Sequence, residues 1–379
     1  MIYFDNGATT YPKPRCVINS VYDTLSKIGG NPSRSSHKLS VMAGEEVYKT
    51  RECVANFICA PSPENVVFTY NATYALNMAI KTMIVEKCHV ITSDIEHNSV
   101  VRPLQSLIDR LGVEISEYNS DLPAFESMVS LIRPDTKFIV STLSSNVTGR
   151  EIDFSSLSSI AKKHSLKLIV DASQALGHRM IDISACDCDA ICAPAHKALF
   201  GIQGTGFVYF KNGMRNGEFI EGGSGTNSIE PYMPSQLPEA YEAGTLATPG
   251  IVALRRGIEF VSSIGIDNVE QHLNKLRMLT VEGLSSIEGV KLYKSYGGHV
   301  LFNIYDIPSS TISLALDKNS VCTRGGLHCA PSAHIKLGTI DQGAVRVTFS
   351  IMNTIDEVER FLMIVERIAK YYRKKRNVQ

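Results

Sequence analysis

The sequence predicts an α/β protein with a second, smaller α+β part, and three observations carry this. Between about residues 40 and 210, short apolar, β-branched runs alternate with longer stretches whose apolar residues return every three or four positions. That is the pattern of a largely parallel sheet covered by helices. A Gly- and Pro-rich stretch over 212–250, containing GGSGTN and X-Pro turns, then interrupts the alternation as a loop and domain junction would. Beyond it, long helical patterns and a few short strands follow one another without that alternation, which reads as α+β.

Taken in order, strands are expected at Val66–Thr69, His89–Ser93, Lys137–Leu143, Lys167–Val170, Asp189–Ala193 and Gly206–Phe210, each short and β-branched or apolar. Between them, Tyr74–Val85, Val100–Leu111 and Phe154–His164 carry the helical period. After the junction, Ile251–Ile264 and Val269–Ile287 read as helices. Strands at Val290–Lys294, His299–Tyr305 and Val345–Ser350 come next, and a helix from Ile355 to about Tyr372 ends the pattern.

Composition narrows the function classes. Of 379 residues, 44% are hydrophobic and 20% charged, enough apolar material for a large core and too much for a disordered chain. Thirty-eight basic residues balance thirty-eight acidic ones, so no general electrostatic pull toward nucleic acid or a membrane surface is present. A small-molecule task is expected. The terminal YYRKKR reads as a solvated helix end rather than a targeting or nucleic-acid patch. The opening MIYFDNGATT has neither a basic nor an apolar region of a secretory signal. No apolar run approaches the ~18 residues of a spanning helix. The nine cysteines are odd in number and scattered, as in a reducing cytoplasm, where a free working thiol is permitted.

Several residues have the chemistry of a site. In KLIVDASQALGH, Asp171 and Gln174 follow an apolar strand, at the edge where open α/β sheets gather ligands, although a strand-end Asp also serves as a turn-former or cap. APAHKALFGIQGTG sets His196 and Lys197 beyond the next strand. A lysine in a pocket there loses hydration, and its amine becomes able to form a Schiff base with a carbonyl. YNATYALNMAI opens a helix with Asn71, Ala72 and Thr73, whose amides, hydroxyl and dipole suit a phosphate or simple capping. An anion anchor, a strand-end carboxylate and a Schiff-base lysine together are what pyridoxal phosphate requires. His97 of SDIEHNSV is placed to lie on such a ring and to handle protons. Cys329 of TRGGLHCAP sits in a glycine-bearing loop with Arg324 and His328, and positive charge near a thiol favours the thiolate. Cys186, Cys188 and Cys192 lack a zinc spacing and read as small buried residues. GIQGTG precedes a strand instead of opening a helix, which excludes a dinucleotide loop.

These motifs, FDNGATT, NATYALN, DIEHNSV, SSNVTG, DASQ, AHK, EAGT, RGGLHCAP and VRVTFSIMNT in that order, resemble the class V aminotransferase-fold, pyridoxal-phosphate-dependent cysteine desulfurase and selenocysteine lyase family nearly end to end. The resemblance implies the fold type I architecture of such transferases, a large domain with a seven-stranded, mainly parallel sheet and a smaller α+β C-terminal domain. It divides the chain into residues 1–14, associated with the small domain, 15–248, the cofactor domain, and 249–379, the small domain carrying the cysteine loop.

The resemblance also implies roles. Lys197 would tether the cofactor, Asp171 would pair with its ring nitrogen, Gln174 would contact its ring hydroxyl, and His97 would stack on it. Ala72, Thr73 and His196 would hold its phosphate, helped by Thr245 from the neighbouring subunit of a homodimer. Asn146 would sit beside cofactor and substrate, and Arg346 would grip the substrate carboxylate in a bidentate pair. Arg324, and His37 of RSSHKLS reaching across the dimer, would add substrate contacts. L-cysteine or L-selenocysteine is the implied substrate, Cys329 the attacking thiol, alanine the product, and an acceptor thiol or protein the destination of the sulfur.

Three residues depart from the family pattern. Pro194 replaces a serine two residues before the His-Lys pair and cannot return its hydrogen bond, which implies weaker cofactor retention. Ile202 replaces a proline and Gly7 an alanine, changes that remove no catalytic group. An aminotransferase, lyase or epimerase on the same fold would not need Cys329, and a scaffold that has lost its cofactor would need none of these groups.

Overall fold

The computed structural model describes residues 1–32 and 35–376. These group into two compact units. The larger comprises Lys13–Leu143 and Ile152–Ile264; the smaller comprises Met1–Pro12, Ser144–Glu151 and the chain from Gly265 onward.

The larger unit is built on a seven-stranded sheet. In spatial order its strands are Val66–Thr69, Gly206–Phe210, Ala190–Pro194, Lys167–Asp171, Thr136–Thr142, His89–Ser93 and Glu114–Tyr118. Gly206–Phe210 runs antiparallel to both neighbours, and all remaining pairs are parallel. Six of the seven were expected within a residue at each end. The seventh, Glu114–Tyr118, is an edge strand whose side chains are mostly partly or fully exposed, so it shows no apolar run. The helices Ala72–Met83, Asn98–Leu111 and Phe154–Lys163 follow strands as expected. Asp153 caps the last by accepting from the amides of Ser155 and Ser156 at 3.2 and 3.1 Å. Leu76, Met78, Ile80, Val100 and Leu104 fill the space between two of these helices and the central strands.

Two further helices, Arg15–Lys27 and Lys38–Phe57, pack on Thr248–Ile264. That packing corrects the boundary expected at 248/249. Thr248–Ile264 stays with the larger unit, because Gly257 lies so close to the loop after Ala190–Pro194 that a Cβ would meet Leu199 O at 1.8 Å.

The smaller unit has a three-stranded antiparallel sheet, ordered Val345–Thr348, His299–Ile304, Val290–Tyr293. Around it lie the helices Ile266–Ser285, Ser309–Asp317, Pro331–Lys336 and Ile355–Arg376. The N-terminal segment belongs here: Ile2–Tyr3 pairs in parallel with Val321–Cys322. Phe4 is buried edge-on against Phe349 and Phe361. Among the described residues, no helix is long and apolar enough to cross a membrane, and no group of three His, Cys, Asp or Glu could hold a metal ion.

Candidate active site

Parallel pairing places the C-terminal ends of the strands along one edge of the larger sheet, with Val66–Thr69 running the same way across its antiparallel neighbour. The segments leaving that edge are Asn71–Thr73, Asp94–His97, Asp171–Gln174 and His196–Lys197. These segments carry the sequence-predicted residues of the larger unit other than His37 and Thr245, and the topology gathers them at one edge.

Asp171 ends its strand buried, 3% exposed, and its Oδ1 accepts from the Ser173 amide at 2.9 Å. Gln174 is buried as well. The Lys197 loop is a tight turn, closed by Phe200 N to Lys197 O (2.9 Å) and Gly201 N to Ala195 O (2.8 Å), and it leaves Lys197 half-buried. Pro194 closes the preceding strand opposite Gly206, where a proline has no N–H to offer. Burial, and then the charges of Lys197 and Lys13, depress the His196 pKa to about 4, so its ring is neutral at physiological pH.

Three groups missed by sequence reasoning, Lys13, Ser99 and Glu96, complete this edge. Lys13 Nζ donates to His196 O at 2.8 Å, and burial lowers its pKa to about 8. No sequence signal joins residues 183 positions apart. Ser99 links the phosphate-type helix terminus to the ring residue: Thr73 Oγ1 lies 2.8 Å from Ser99 Oγ, and His97 Nδ1 lies 2.9 Å from the same oxygen. His97 Nδ1 also accepts from the Ser99 amide at 3.0 Å, which puts its proton on Nε2 when the ring is neutral. Asn71, named from the sequence, caps the other helix, accepting from Tyr74 N at 2.9 Å. Glu96 is 1% exposed; its Oε1 accepts from Ser93 Oγ and, at 2.9 Å, from Thr142 N, while Oε2 has no hydrogen-bond partner. Burial raises its pKa to about 8 against the effect of those bonds, and the charge of Asp171 adds to the rise.

Thr245 and His37 are exposed. Thr245 Oγ1 accepts from Asn31 Nδ2 at 3.1 Å. His37 caps the helix Lys38–Phe57, its Nδ1 accepting from Ser40 N at 3.2 Å. Arg34, the first residue of the RSSHKLS motif, lies outside the described residues.

The smaller unit carries Asn146, Arg324, Cys329 and Arg346. Arg346 is 1% exposed; Nη2 pairs with Asp5 Oδ1 at 2.9 Å and Nη1 donates to Asn146 O at 2.7 Å, while Nε has no partner. Asn146 Nδ2 donates to His328 O at 2.7 Å, and its buried Oδ1 is also unpartnered. Buried groups left unsatisfied beside a guanidinium are sites for a polar ligand. Gly7 lies against that guanidinium, where a Cβ would come 3.2 Å from Arg346 Cζ. Cys329 is exposed, with Sγ 3.6 Å from Arg324 Nη2. One expectation is corrected here: His328 brings no positive charge to the thiol. It is buried, and burial together with the charge of Arg346 holds its pKa well below the ordinary histidine range.

Two donor sets therefore suit pyridoxal phosphate and an amino-acid carboxylate, respectively. The larger unit offers a buried carboxylate, a half-buried lysine, a neutral histidine and a hydroxyl-bearing helix terminus; the smaller offers a buried guanidinium and an accessible thiol.

Comparison with known proteins agrees with this chemistry. The model for "Aminotransferase class-V" matches residues 2–361. A probable cysteine desulfurase of Pyrococcus abyssi is 30% identical, with 98% of this chain and 95% of that protein covered. A cysteine desulfurase of Salmonella dublin is 28% identical, with 98% and 94% covered. The apo structure of a cysteine desulfurase from Thermococcus onnurineus superposes with a TM-score of 0.89 at 30% identity, covering 97% of this chain and 94% of that one. With the family model matching nearly the whole chain, the protein belongs to the class V aminotransferase family.

Proposed function

We propose that the protein is a pyridoxal-phosphate-dependent cysteine desulfurase that converts L-cysteine to L-alanine and leaves the sulfur on Cys329. The observation that carries this is the exposed thiol of Cys329 beside the Arg324 guanidinium, a group that an aminotransferase or epimerase would not use. When bound, the cofactor supplies an electron sink for the substrate's Cα electrons.

The chain's own groups do the rest. Lys197 would tether the cofactor and would move the substrate Cα proton. Asp171 would pair with the ring nitrogen and Gln174 would contact the ring hydroxyl. His97, oriented by its Nδ1 bond to the Ser99 amide, would stack on the ring. Thr73, the Ala72 amide and His196 would hold the phosphate. Arg346 takes the substrate carboxylate through its unpartnered Nε, with Asn146 beside it, and Arg324 orients the thiol. Cys329 attacks the substrate sulfur: an S–S bond forms and the substrate Cβ–S bond breaks. The bonding pair passes to the substrate carbon, which takes up a proton to become alanine's methyl group. The persulfide sulfur then passes to an acceptor thiol or protein.

We further propose a homodimer in which Thr245 and His37 serve the partner's site; both are exposed in the single chain. A cytoplasmic setting is supported by nine free cysteines. A small-molecule task away from nucleic acid and membranes is supported by the zero net charge. The test is alanine release from L-cysteine, with reductant and pyridoxal phosphate, by the native chain and by Cys329→Ala. Alanine from the native chain alone is expected. Equal alanine from both sinks the persulfide step and favours a lyase, with L-selenocysteine competition then identifying its substrate.

A further inference from the structure

Behind Cys329, the smaller unit holds a chain of hydrogen bonds that the reaction above leaves unused. His328 Nε2 lies 3.0 Å from Arg324 O, His328 Nδ1 lies 3.0 Å from His334 Nε2, and His334 Nδ1 lies 2.8 Å from Thr339 Oγ1. The two rings meet edge to edge, with centroids 5.2 Å apart and planes 16° from parallel. They are 2% and 0% exposed.

A carbonyl oxygen only accepts, and this fixes every proton in the chain. His328 Nε2 must carry its hydrogen, so Nδ1 of the neutral ring accepts; His334 Nε2 must then donate, so His334 Nδ1 accepts from the Thr339 hydroxyl. The bonds therefore run in one direction, from Thr339 through His334 and His328 to Arg324 O. The charged groups facing the rings are Arg346, on the strand Val345–Thr348, and Arg324, on the loop itself. Asp5 pairs with Arg346 at 2.9 Å. Burial and these cations keep both imidazoles neutral.

The chain ends where the backbone is strained. His328 and Cys329 have φ of +52° and +58°, left-handed at two successive residues with side chains. Such a conformation persists only where the surroundings over-determine it. His328 is gripped twice, its ring by the relay and its carbonyl by Asn146 Nδ2.

We propose that His334 is a positioning residue for Cys329: through the ring of His328 it holds the thiol-bearing loop in its left-handed turn and Sγ beside Arg324. The functional weight of this rests on Cys329 being the sulfur acceptor; the geometric part does not.

Hydrogen–deuterium exchange over 324–330 in the full chain with pyridoxal phosphate tests it, alongside desulfurase kinetics. His334→Leu keeps an apolar volume and removes the donor; exchange there should rise about tenfold, the shift expected on losing one buried hydrogen bond. kcat should fall while the KM for L-cysteine and the cofactor absorbance hold. His334→Gln, whose amide N–H reaches where the imidazole N–H lay, should restore both values. Thr339→Val should move exchange the same way by less, and it serves if the leucine variant does not fold. Native exchange in both the leucine and valine variants, or glutamine as fast as leucine, overturns the proposal. Exchange that follows the prediction while Cys329→Ala releases alanine at the native rate supports the positioning and overturns the desulfurase reading instead.

Discussion

Glu96 holds a proton because water cannot reach it, and that has a measurable sign. Its folded pKa is raised from 4.5 to about 8, chiefly by burial. Between those values the folded chain keeps a proton that the unfolded chain has released, so stability falls as pH rises through this window and levels off above it. Glu96→Gln keeps the oxygen that accepts from Ser93 and Thr142 and removes the titration. Urea unfolding of both proteins at pH 6 and pH 9 should show the native chain losing about 2 to 3 kcal/mol relative to the variant, at ~1.4 kcal/mol per pH unit for one proton. Parallel profiles would remove the neutral acid. His334 has the opposite sign: burial depresses its pKa to about 4, so its contribution is complete above about pH 6.5 and is lost as pH falls toward 4. Neither residue was legible in the sequence, because a lone Glu or His in a motif says nothing of the partners that bury it.

At the scale of elements, the edge strand Val66–Thr69 delivers the Asn71–Thr73 terminus to the site, and a buried ion pair holds that strand. Arg51 donates to Val66 O and pairs with Glu242, whose Oε1 accepts from Phe68 N at 2.7 Å. Arg51 and Glu242 are 5% and 8% exposed. Glu242→Ala leaves an uncompensated buried guanidinium and an unpaired amide, at a cost of about 3–5 kcal/mol in urea unfolding. It should also weaken pyridoxal phosphate binding at protein concentrations and temperatures where the variant remains folded. A variant as stable as the native chain would show that the strand does not depend on the pair. The strands of this sheet that lie between helices were legible because they are continuously apolar. Glu114–Tyr118 was not, being half-wet at the edge. Nor were the helices Arg15–Lys27 and Lys38–Phe57, which precede the first expected strand, or Pro331–Lys336, only six residues long.

For the whole molecule, sequence periodicity changes across 212–250 but does not assign Thr248–Ile264 to the larger unit. It carries no trace of the excursion by which Ser144–Glu151 joins the smaller unit. That excursion is what puts Asn146 in the same unit as Arg346 and Cys329. The proposed pairing of chains makes the sharpest prediction at this scale. If Thr245 serves the partner's site, a chain with Lys197→Ala and a chain with Thr245→Ala each form a defective homodimer. In the mixed dimer, one site inherits both changes and the other inherits neither. Co-refolding equal amounts gives mixed dimers in about half of the pairs, so about a quarter of all sites become native, by random pairing in a two-fold assembly. The mixture should therefore release alanine from L-cysteine faster than the mean of the two variants assayed apart. Exact averaging of the two rates, with dimers present by light scattering, would place Thr245 in its own chain's site and end the shared-site reading.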